Sequence, residues 1–118
     1  MTDTLEFRIR SSPTVRMGFV EEAEIIDSAL KNALEKLQWR EEMERSQLHQ
    51  DPKNGYILRC ATENATIQIE MNYTSAYYHG KIEEENETQR QRLFHMLQQA
   101  MQAETPLVKF IFTPQYRA

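Results

Sequence analysis

Apolar and polar positions alternate, then recur every three to four residues, then alternate again, and that order predicts an architecture. Leu5, Phe7 and Ile9 alternate with Glu6, Arg8 and Arg10, the pattern of a strand with one buried and one wet side. Phe19, Ala23, Ile26, Leu30, Ala33, Leu34 and Leu37 recur at spacings of three and four, the stripe of an amphipathic helix. Glu21, Glu22 and Glu24 crowd its start, where the helix dipole favours anions. Asp27 with Lys31 and Glu41 with Arg45 stand at the spacing of helix-surface ion pairs. Carried on to Arg45, this helix would be about 40 Å long, so it either ends near Trp39 or projects beyond the sheet. Between strand and helix, Ser11–Gly18 reads as a loop or irregular strand. Ser12-Pro13 fits a helix start, but Gly18 would then sit inside the helix at a cost of about 1 kcal/mol; Val15, Met17 and Phe19 alternate like a short strand.

The second half repeats the scheme. Asp51-Pro52-Lys53-Asn54-Gly55 is a turn signal. Strands are predicted at Tyr56–Ala61 and Thr66–Tyr73, where Ile67, Ile69, Met71 and Tyr73 alternate with polar residues. Tyr77–Ile82 extends the meander as an optional further strand, with Gly80 at a bend. Glu83–Glu87 is an acidic approach to a second helix, with Thr88 as its predicted N-cap. That helix turns Leu93, Leu97 and Ala100 inward, with Phe94 and Met101 beside them, and ends before Pro106. Leu107–Thr113 closes the sheet. The order β-α-β-β-(β)-α-β predicts an α+β two-layer sandwich, with two helices on one face of an antiparallel sheet. Residues 1–118 are expected to form one domain with Phe7, Ile26, Leu30, Ile69, Leu97 and Phe110 in a single core. The pattern resembles the ferredoxin-like class as an architecture. That class hosts many unrelated activities, so the resemblance implies no mechanism.

Composition narrows the partners. A chain of 118 residues buries roughly two thirds of the surface its unfolded form exposes. The formal charge of −4 and pI near 5.4 argue against nucleic acid, whose phosphates demand a basic face; only Arg8 with Arg10 and Arg90 with Arg92 form basic pairs. No apolar run approaches the roughly 18 residues of a membrane span, and Met1–Thr4 lacks the basic and apolar regions of a signal peptide. With Cys60 as the single cysteine, the expectation is a cytoplasmic protein without a membrane partner.

Candidate chemistry is sparse. Gly18, Gly55 and Gly80 are too far apart to cradle a phosphate. His49, His79 and His95 lack metal-ligand spacing, and Glu83–Glu87 lacks the alternating ligands and glycine of a calcium loop, so no metal and no cofactor is expected. Cys60 lies in an alternating strand and reads as a small buried hydrophobe rather than a nucleophile. Asn64, Asn72 and Asn86 each begin a glycosylation sequon, which reads as turn chemistry. Tyr77, Tyr78, His79 and Lys81 form the most chemically varied segment, a ligand-site candidate set against a plain strand with one tyrosine in and one out. Trp39 lies opposite the inward stripe if the first helix continues. With Met43 four residues on and Ile25 near the same side, it would form a partner interface; if the helix ends near Leu37, Trp39 folds back over the core edge instead. The leading expectation is a protein-interaction or regulatory module bound to a protein partner or to itself as a homodimer. A small-molecule-binding domain using residues 11–18 and 77–81 is the alternative, and an enzyme assembled from distant residues is third.

Overall fold

The wet and dry positions of the sequence become the two faces of one sheet. A computed structural model describes residues 4–39, 46–47, 55–62, 65–72 and 77–115, apart from the side chains of Phe19, Ser46, Gln47, Tyr56 and Tyr77. In chain order the elements are β1 (Thr4–Pro13), α1 (Phe19–Leu37), β2 (Ser46–Gln47), β3 (Gly55–Ala61), β4 (Thr66–Asn72), β5 (Tyr77–Glu83), α2 (Glu87–Glu104) and β6 (Val108–Gln115). Met43, the Glu41–Arg45 pair and the turn at 51–54 lie outside the described residues.

The strands form one sheet in the order β2-β3-β4-β5-β1-β6, with every neighbouring pair antiparallel. Within it, β1, α1, β4, β5, α2 and β6 make the expected β-α-β-β-α-β unit, in spatial order β6-β1-β5-β4. The supplementary strands are β2 and β3, which extend the sheet beyond β4. Sequence pattern had the roles reversed. Tyr77–Ile82 reads from its pattern as the optional strand, yet β5 is central and pairs with both β1 and β4.

Gly80 explains the weak signal. It lies at the middle of β5 opposite Phe7, and not at a bend. A side chain there would overlap the Phe7 ring. That ring is fully buried, stacked on Phe112 with centroids 5.1 Å apart and edge-on to Phe94 at 5.1 Å. The centre of β5 is therefore filled by a neighbour's side chain, and its own pattern lacks an apolar residue where one belongs.

β1 runs on to Pro13, pairing with the start of β6; of the Ser11–Gly18 stretch expected as a loop or irregular strand, Ser11–Pro13 is strand and the loop begins at Thr14. The Thr14 N–H donates to the Leu107 carbonyl at 2.9 Å, and its hydroxyl to the Pro106 carbonyl at 2.8 Å. Ser11 donates to Glu22 at 2.8 Å, tying β1 to α1.

α1 stops at Leu37. Gln38 takes a left-handed conformation, φ 55°, unusual for a residue with a Cβ, and it reverses the chain over the helix end. The Trp39 N–H then donates to the Leu34 carbonyl at 3.4 Å. Asp27 and Lys31 form the expected ion pair at 3.0 Å. α2 begins two residues earlier than Thr88 implied: Asn86 is the N-cap, and its side-chain oxygen accepts from the Gln89 N–H at 3.0 Å. The Arg90 guanidinium donates to the carbonyls of Glu84 and Glu85, so the acidic bend is folded back onto the helix it introduces.

All six residues expected in the core are buried in it, together with Cys60 and Trp39. At the β6 edge, Gln102 of α2 stands in for a missing strand. Its amide donates to the Val108 carbonyl at 3.0 Å and accepts from the Phe110 N–H at 2.8 Å. Outward groups of an edge strand otherwise invite pairing with another chain, and here two of them are satisfied from within.

Candidate functional site

Two helices can cover only one face of this sheet. Leu5, Phe7 and Ile9, with Tyr78 and Ile82, point toward them and are buried. Strand alternation sends the intervening residues to the opposite face, where the charge balance reverses. Among the described residues, the open face carries Arg8, Arg10, Arg59, Lys81 and Lys109 against Glu6, Glu70 and Glu83, an excess of two positive charges. The helices carry the reverse, seven acidic and four basic side chains. A net charge of −4 thus conceals a basic face and an acidic back.

Register arranges the face in rows. Arg59 stands opposite Gln68, Gln68 opposite Lys81, and Lys81 opposite Glu6. The next row runs Ile57, Glu70, His79, Arg8 and Thr113. Thr66 and Glu83 pair at the other side of the first row. Arg59, Thr66, Gln68, Lys81 and Glu83 line a depression of about 220 Å³. Lys81 is engaged by Glu83 at 3.2 Å, whereas Arg59 is exposed and has no ion pair among the described residues.

The sequence candidates separate. Tyr78 is buried and faces the helices, while His79 and Lys81 belong to the open face, so these three side chains do not share one face. The side chain of Tyr77 lies outside the described set. Residues 11–18 line neither this depression nor a second groove of about 340 Å³ between α1 and the end of α2. Ile25 lines that groove, beside Glu24 and Glu104, and is partly buried against the core.

The interface expected at Trp39 is not on the surface. Trp39 is 6% exposed, because the left-handed turn at Gln38 swings it into the core rather than leaving it on the far side of a longer helix. Met43, its expected companion, is outside the described residues. Sequence reasoning missed Arg59, Gln68 and Thr66. Their signal was present in the wet positions of two alternating strands, but only the register shows that they meet.

Among the described residues, no three His, Cys, Asp or Glu side chains are grouped to hold a metal ion, and no helix is long and apolar enough to cross a membrane. Cys60 is buried.

No protein-family model and no curated protein matches this chain. Among solved structures it is similar to the solution NMR structure of a de novo designed protein with a ferredoxin fold, at 15% identity and a TM-score of 0.51, over 100% of this chain and 88% of that one. The fold is therefore ferredoxin-like, with β6-β1-β5-β4 as its four-stranded unit and β2 and β3 added at one side.

Proposed function

We propose that this chain is a protein-interaction module that docks an acidic protein segment on the open face of its sheet. The observation that carries this reading is the division of charge between a basic open face and acidic helices. Such a division steers an acidic partner to one side and repels it from the other. Arg10, Arg59 and Lys109 are exposed there without an ion pair among the described residues, so a partner's carboxylates would not have to displace existing contacts.

A different, acidic protein fits better than a second copy. The tryptophan expected to drive self-association is already buried, and Gln102 occupies part of the β6 edge. A single-stranded RNA is also disfavoured. Open faces that bind RNA stack bases on aromatic rings, and among the described side chains of this face His79 is the only ring. A cytoplasmic setting, read from the lone cysteine, belongs to the same proposal.

Fluorescence anisotropy with a short labelled oligoglutamate peptide tests it at low ionic strength. Reversing Arg10 and Lys109 together to glutamate should weaken binding about tenfold, whereas reversing Lys31 and Lys36 on the helices should change it little. Equal effects from both pairs, or tighter binding of oligouridylate than of oligoglutamate, would contradict the proposal.

A further inference from the structure

Arg59, Thr66, Gln68, Lys81 and Glu83 line the depression on the open face, and we infer that it anchors one aspartate or glutamate side chain of the partner, with Arg59 as the residue that determines specificity. This inference rests on the docking proposal above. Neighbouring strands lie about 4.8 Å apart, so Arg59 on β3 and Lys81 on β5 rise roughly 10 Å from each other with Gln68 between them on one row. A carboxylate above Gln68 lies within reach of both long side chains. The Gln68 amide offers two donors and the Thr66 hydroxyl one more.

Arg59 and Lys81 are not equivalent in this site. Glu83 holds Lys81 at 3.2 Å and supplies a negative charge to the same depression. Arg59 has no such partner among the described residues, and a guanidinium fork grips a carboxylate through two parallel hydrogen bonds, which a lysine ammonium does not. Glu83 also favours a singly charged carboxylate over a doubly charged phosphate, because the second charge would face it. The volume of about 220 Å³ falls below the roughly 300–1,000 Å³ of sites that enclose a free small molecule. It suits the end of one side chain, with the rest of the segment lying along the rows toward Arg8 and Arg10.

The experiment compares substitutions that keep charge with one that removes it, using the oligoglutamate peptide and anisotropy. Arg59→Gln should weaken binding by about fivefold or more, and Arg59→Lys should weaken it nearly as much, because the fork is lost in both. Arg92→Lys, the same exchange at an exposed position of α2 away from the face, should leave affinity within about twofold. Arg59 is exposed, and circular dichroism on each variant confirms that the fold is intact. Arg59→Lys binding as tightly as the unaltered protein would overturn the anchor while leaving the basic-face proposal standing. No peptide binding by the unaltered protein would overturn both.

Discussion

Replacing Trp39 by alanine should destabilise the protein by about 3–5 kcal/mol, the range for truncating a buried large aromatic side chain, and should leave its state of association unchanged. Trp39 is 6% exposed and belongs to the same core cluster as Ile26, Leu30 and Leu34. Its indole covers the end of that core because Gln38, at φ 55°, folds the chain back over the last turn of α1. Small domains are stable by only about 5–15 kcal/mol, so the loss is a large share of the total. Urea denaturation measures it, and sedimentation velocity on the same variant, below its transition, measures association. A loss under about 1 kcal/mol together with a change in sedimentation would show that Trp39 meets a partner rather than the core.

Gly80→Val should cost about 3 kcal/mol or more, at the upper end of what overpacking a tight core produces. The new side chain would enter the place of the Phe7 ring, which cannot step aside while it is stacked on Phe112 and set edge-on against Phe94. Because the two residues share one space, their losses should not add. Gly80→Val combined with Phe7→Leu should be more stable than the sum of the single losses allows. Strict additivity in a double-mutant denaturation cycle would mean that Phe7 is not what fills the centre of β5.

Strong periodic segments were legible in the sequence, and features made by neighbours were not. The stripe of α1 and the alternation of β4 each report on their own residues, so Leu30 and Ile69 could be placed in the core directly. β5 could not be read in the same way, since the side chain completing its inner face comes from Phe7 on another strand. The end of α1 was ambiguous because glutamine, rather than the usual glycine or asparagine, takes the left-handed position, and nothing in the local pattern announces it. The sequence therefore left Trp39 open between a surface residue on a longer helix and a residue folded back over the core edge, and the structure shows the second. The basic face was hidden for a third reason. Arg59 and Lys81 are separated by 22 positions in the chain and meet only through the register of β3, β4 and β5. A total charge averages that face with the acidic helices and returns a negative number.

The claim that the open face is the docking surface is tested most directly by recording amide chemical shifts of the labelled protein while the oligoglutamate peptide is added. The expected perturbations fall on β3, β4, β5 and β1, strongest around Arg59, Gln68 and Lys81, with α1 and α2 largely unmoved. Perturbations confined to the helices, or none at peptide concentrations that saturate the anisotropy signal, would contradict it.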